Sequence, residues 1–160
     1  MSSLQLTEAP VALAEMLIRK PVAEVFEAFV NPDITSQFWF TKGSGRLEPG
    51  RRVTWTWEMY GFSIDVDVKA IEPNQRILIA WPGDGGPTTV EWRFTPHGES
   101  ATFVSITNFG FTGAGDEIVK QATGSTEGFT LVLAGLKALL EHGIQLNLVG
   151  DRFPKGLDGA

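Results

Sequence analysis

The chain has 160 residues, 42% of them hydrophobic and 20% charged, which fits one globular domain large enough to bury a substantial core. Thirteen basic residues against nineteen acidic ones give a net charge of −6, which argues against non-specific binding to nucleic acid or an anionic membrane, since both need a basic face. Cysteine is absent, so disulfides and thiolate chemistry drop out, and with neither a signal peptide nor a long apolar span the expectation is a cytoplasmic protein without a membrane span.

The first ten residues read as a loose lead-in. Val11 to Arg19 reads as a strand with Met16 and Ile18 inward, bounded by Pro21. Pro21 to Val30 is a short amphipathic helix whose buried stripe is Val22, Val25, Phe26 and Phe29. Asn31-Pro32 ends it, because a residue before proline avoids the helical region, and Asp33 is expected to cap a second short turn leading to Phe38, Trp39 and Phe40. From Ser44 the period changes to two. Val53, Trp55, Trp57 and Met59 alternate with polar neighbours, Gly61 turns the chain, and Phe62, Ile64, Val66, Val68 and Ala70 alternate back. Tyr60 points outward in this register. Pro73-Asn74 turns into a strand from Arg76 to Trp81, and the Gly83 to Gly86 loop leads to Thr88–Thr95, where Val90, Trp92 and Phe94 share a face. After Pro96-His97-Gly98 a last strand carries Thr102, Val104, Ile106 and inward-facing Asn108 to its end near Phe109. Asp116 is expected to cap a short helix, Glu117 to Ala122.

The longest helical pattern then runs from Thr126 to His142. Phe129, Val132, Leu133, Leu136, Leu139 and Leu140 recur at three- and four-residue steps, and Gly143 stands where a helix-ending glycine belongs. Gly128 and Gly135 each cost roughly 0.8–1 kcal/mol against alanine inside a helix. Close packing against backbone explains them; room for a ligand is the sharper alternative. Leu146 to Ala160 reads as a tail, so the chain is one domain over 1–160 with its core in 11–145.

Seven strands side by side span roughly 30 Å at about 4.8 Å each, whereas a helix is only about 10–12 Å across. The expected fold is therefore α+β: a curved seven-stranded antiparallel sheet around a long C-terminal helix, with two short helices between the first two strands. A wide cup closed by one helix tends to leave space.

Several residues carry a family resemblance. They are Ile18-Arg19-Lys20-Pro21 running into Val25, Phe26, Ala28 and Phe29, then Asn31-Pro32 and Phe38-Trp39. Gly128-Phe129, Leu136-Lys137 and Leu140-Glu141-His142-Gly143 follow, with Leu146 to Val149 and Asp151 to Pro154 in the tail. In this order they resemble helix-grip, START-like proteins of the birch-pollen-allergen type. Within these the chain is most similar to the domain named after the activator of the heat-shock-protein-90 ATPase, in its stand-alone bacterial form. The resemblance implies a hydrophobic cavity between sheet and helix, where related proteins bind lipids, sterols, polyketides or hormones, and a minority are cyclases or other enzymes.

Catalytic candidates are few. His97 falls in a turn and His142 at a helix end, where it complements the dipole, so neither suits a nucleophile's base, and no His or Cys cluster has metal-ligand spacing. Asp65 and Asp67 fall on the wet strand face. No catalytic residue, metal ligand or cofactor is assigned. The expected ligand cavity is lined by Trp57, Met59, Val66, Trp81, Trp92, Phe94, Ile106 and Asn108 from the sheet, and by Phe129, Leu133 and Leu136 from the helix, although each taken alone suits a core equally well. Thr107 and Tyr60 are further candidate polar anchors.

Three functions compete. A non-catalytic binder of a small hydrophobic molecule needs that cavity. A protein-interaction module, such as a chaperone cofactor, needs an exposed apolar patch, with Phe109, Phe111 and Phe153 as candidates. A cyclase- or hydrolase-type enzyme needs an inward acid or base, whereas Glu15 and Glu58 fall outward. Edge strands are compatible with a homodimer.

Overall fold

The computed structural model describes residues 4–157; the first three residues of the lead-in and the last three of the tail lie outside the described residues. Among the described residues seven strands form: β1 (Ala12–Ile18), β2 (Lys42–Gly43), β3 (Arg52–Trp57), β4 (Phe62–Glu72), β5 (Arg76–Trp81), β6 (Thr88–Pro96) and β7 (Thr102–Phe109). They make one antiparallel sheet in the order β1-β7-β6-β5-β4-β3-β2. β2 to β7 follow one another as a meander, and β1 joins at the far side, pairing Ala12 with Asn108 and Ile18 with Thr102. Helices α1 (Val22–Val30) and α2 (Pro32–Thr35) fill the connection between β1 and β2. This is the helix-grip α+β fold expected from the sequence.

Alternation sets the faces. Val53, Trp55 and Trp57 of β3 are buried, as are Val90, Trp92 and Phe94 of β6 and Val104, Ile106 and Asn108 of β7. The solvent face of the hairpin holds Asp65, which accepts from Thr54, and Asp67, which pairs across the strands with Arg52 at 2.8 Å. That bond, helped by the Arg52 charge, holds the Asp67 carboxyl below its usual range.

Four local expectations need correction. The cap of α2 is Asn31, whose side chain accepts from the Asp33 amide at 3.0 Å; Asp33 lies inside the first turn. The two helices expected around Gly124 are a single helix α3 (Gly115–His142) of 28 residues, about 42 Å long. Asp116 is therefore not its cap but part of its first turn, where an acid complements the dipole. Two helices would have left several carbonyls and amides unpaired between them, and continuing through Gly124 avoids that loss. Thirdly, the tail is not featureless: it forms a short helix α4 (Leu148–Arg152). Finally, β3 does not run on through Met59. A 3₁₀ turn at Glu58–Tyr60 breaks the alternation, turning Met59 outward to 46% exposure and Tyr60 inward.

One helix does not cover the whole sheet. α3 lies along β1 and touches β7, while α1 packs on β6. The middle is filled by rings from the α2–β2 connection. Trp39 sits 4.8 Å from Trp55, 6.1 Å from Trp92 and 5.6 Å from Phe129, and Phe40 stacks on Trp55 at 4.9 Å. Phe26 and Phe29 of α1 close the far end against Phe94. α3 ends as its sequence indicates: Gly143 adopts φ 66°, and its amide returns to the Leu139 carbonyl.

Candidate functional site

α3 packs most tightly on the sheet over its C-terminal half. From Phe129 to Leu136 its inner face is buried, with Phe129, Val132, Leu133 and Leu136 at 4% exposure or less. The N-terminal half touches the sheet edge through Ala122, which is buried with Ala12 of β1 and Phe111, but its other face is open, and there Gly124 and Gly128 are exposed, with nothing within 4 Å of where a Cβ would lie. Gly135 differs: a Cβ would lie 3.3 Å from the Phe38 carbonyl oxygen. Close packing thus accounts for Gly135 but not for Gly128.

Beside Gly124 and Gly128 lies a cleft of about 740 Å³ at the end of the sheet where β3, β5 and β7 finish and β4 and β6 begin. Its inner wall is aromatic. Trp39, Trp57, Trp81 and Phe129 line it, with Trp81 and Phe129 nearly parallel and 5.6 Å apart. Its outer wall is α4 and the residue after it, with Val149, Arg152 and Phe153 lining the opening. α4 is tied down by Tyr60, whose hydroxyl donates to the carbonyls of Val149 and Gly150, and by an Arg152–Glu127 ion pair of 2.6 Å. Burial pushes the Tyr60 phenol above its usual pKa. Met59 covers the outside of the same helix, next to Gly150.

A polar row crosses the cleft's inner wall. Trp81 Nε1 donates to Thr88 Oγ1 at 3.1 Å, and Asn108 Nδ2 donates to the same oxygen at 3.0 Å and to the Thr89 carbonyl at 2.9 Å. Ser125, one turn before Phe129 on α3, donates to Asn108 Oδ1 at 2.8 Å. Thr88 and Asn108 are 4% and 2% exposed. Asp84, Lys120 and Glu127 lie at the exposed rim. Among the described residues no three His, Asp or Glu side chains gather closely enough to hold a metal ion.

Of the residues expected to line a cavity, Trp57, Trp81, Asn108 and Phe129 stand on the cleft wall. Val66, Trp92, Phe94, Ile106, Leu133 and Leu136 do not; all are 4% exposed or less and pack into the core. Met59 is the clearest correction, since the 3₁₀ turn carries it outside. Sequence reasoning missed Trp39, Thr88, Ser125 and all of α4, and it set Tyr60 on the wrong side. Trp39 and α4 lie in segments without periodicity, where nothing in the pattern orients a side chain. Thr88 had a readable signal, because it shares the inward face of Val90 and Trp92 by alternation.

Residues 19–141 match the family model described as activator of Hsp90 ATPase homolog 1-like protein. The chain belongs to this family. Among solved structures, the family member is similar to protein SSP2350 from Staphylococcus saprophyticus, at 31% identity over 86% of this chain and 96% of that one, with a TM-score of 0.73. Protein MLL2253 from Mesorhizobium loti is 20% identical over 84% and 99% of the two chains, with a TM-score of 0.73. The Aha1 dimer from Colwellia psychrerythraea is 20% identical over 84% and 98%, with a TM-score of 0.69. These last two share the fold. No curated protein matches the sequence.

Proposed function

We propose that this family member binds a small, largely apolar molecule in the cleft between α3, α4 and the open end of the sheet. The observation that carries this reading is the aromatic inner wall of a cleft of about 740 Å³, a size within the roughly 300–1,000 Å³ of ligand sites. The packed rings of Trp39, Trp57, Trp81 and Phe129 present their edges to the cleft, and on α3 the exposed Gly124 and Gly128 leave space that larger residues would fill. Binding suits the polar groups better than catalysis does. The buried polar side chains described are Thr35, Thr88, Thr102 and Asn108, and none is an acid or base at ordinary pH, while Glu15 and Glu58 are exposed. A protein-docking role has less to rest on: Phe111 is buried and Phe153 faces the cleft, which leaves Phe109 alone of the three candidate patch residues at 38% exposure.

Titration calorimetry against a panel of lipids, sterols and aromatic polyketides tests this, with native mass spectrometry of the purified chain alongside. At least one apolar class is expected to bind one-to-one. Gly128→Phe, which puts a ring into the cleft from the helix side, is expected to abolish that binding with the fold retained. Failure of every class to bind, or binding unaffected by Gly128→Phe, overturns the reading.

A further inference from the structure

The polar row on the cleft wall has one hydrogen left over. Thr88 Oγ1 receives two hydrogen bonds, from the Trp81 indole and the Asn108 amide. Indole nitrogen can only donate. The Asn108 amide is fixed in the same sense, because the nitrogen that faces Thr88 also faces the Thr89 carbonyl at 2.9 Å, where an amide oxygen would be repelled. Both lone pairs of the Thr88 hydroxyl are thus occupied, and its hydrogen must be donated elsewhere. Among the described residues no hydrogen bond is donated by this hydroxyl, and the residue lies on the cleft wall at 4% exposure. Beside it, Ser125 spends its own hydrogen on Asn108 Oδ1 at 2.8 Å, so its oxygen retains free acceptor capacity on the same wall. One asparagine therefore holds a donor and an acceptor, one at each end of its amide.

We propose that Thr88 and Ser125, oriented by Asn108, form a subsite for a hydroxyl group on a flat aromatic ligand. A hydroxyl oxygen accepts from Thr88 and its hydrogen is given to Ser125, a match that neither a hydrocarbon nor a bare ammonium supplies. An aromatic partner suits the ring-lined wall beside this subsite. Trp81 and Phe129 stack on each other at 5.6 Å and form one continuous aromatic surface there, and the glycines at 124 and 128 leave open space along α3. This deepens the binding reading above and rests on it.

The test compares naphthol with methylnaphthalene, which differ by a hydroxyl in place of a methyl, by calorimetry on the natural chain, Thr88→Val and Thr88→Ser. The ratio of naphthol to methylnaphthalene affinity is expected to fall roughly tenfold in Thr88→Val, the worth of one buried hydrogen bond. It is expected to persist in Thr88→Ser, which keeps the hydroxyl. Taking the ratio cancels any general loosening of the cleft. If both compounds bind and the ratio is the same in all three proteins, the subsite is overturned and the apolar binding reading stands. If neither binds the natural chain, the subsite is overturned, while the apolar binding reading is decided by the lipid, sterol and polyketide panel alone.

Discussion

Gly128 and Gly135 occupy equivalent positions one heptad apart on α3, yet their surroundings make opposite demands. At Gly128 a methyl group meets nothing within 4 Å, so alanine should recover most of the helix propensity, a gain of about 0.8–1 kcal/mol. At Gly135 the same methyl presses on the Phe38 carbonyl oxygen at 3.3 Å and its Cβ at 3.4 Å. Backbone yields less readily than a side-chain end, and the gain should be cancelled or reversed. Urea denaturation of the two alanine variants checks this, and equal shifts in midpoint would refute it. Sequence alone showed two glycines spaced at helical period and offered packing or vacancy for both. Choosing between them required knowing how far each stood from the α2–β2 connection, which no local pattern encodes. Tyr60 and Met59 exchanged sides for a related reason: strand alternation was continued through residues that form a 3₁₀ turn.

At the scale of elements, the C-terminal end of α3 is fastened to the end of β1. Glu141 accepts from the Arg19 amide at 2.9 Å and from Lys137 Nζ at 2.7 Å, and Lys137 also donates to the Leu17 carbonyl at 2.8 Å. The Glu141 side chain is 9% exposed. Burial pushes its carboxyl up, but the Lys137 and Arg19 bonds prevail and hold it below its usual value. A folded-state pKa lowered in this way stabilises the protein above the ordinary carboxylate range, and the benefit disappears as pH falls through the depressed value. Glu141→Ala is expected to cost about 1–3 kcal/mol near neutrality, and the gap from the natural chain should close on acidification. Denaturant melts across a pH series measure it; a gap independent of pH would sink the assignment. The strands and α1 were readable from periodicity, as was the gripping half of α3. Its N-terminal extension through Gly124 was not, because propensity favours a break that backbone pairing overrides.

For the molecule as a whole, the curvature of the sheet was legible, while the filling of its centre was not. Width against width, seven strands outreach one helix, and the sheet curves around it as that implies. The centre of that cup is nevertheless solid, because Trp39 enters it from a segment with no repeating pattern. It displaces the opening to one end, and six expected cavity residues become core. Trp39→Ala is therefore expected to destabilise the protein by about 3–5 kcal/mol, and to extend the cleft inward. A loss under ~1 kcal/mol, the scale of an ordinary surface change, would show that the centre is held by something else. The same ring has an optical consequence. All five tryptophans of the chain fall in one cluster, with Trp39 between 4.8 and 6.3 Å from each of the other four. Excitation absorbed by any indole can migrate to those facing the opening, so the intrinsic fluorescence behaves as one collective emitter, and an occupant quenching Trp81 darkens the whole set without any label.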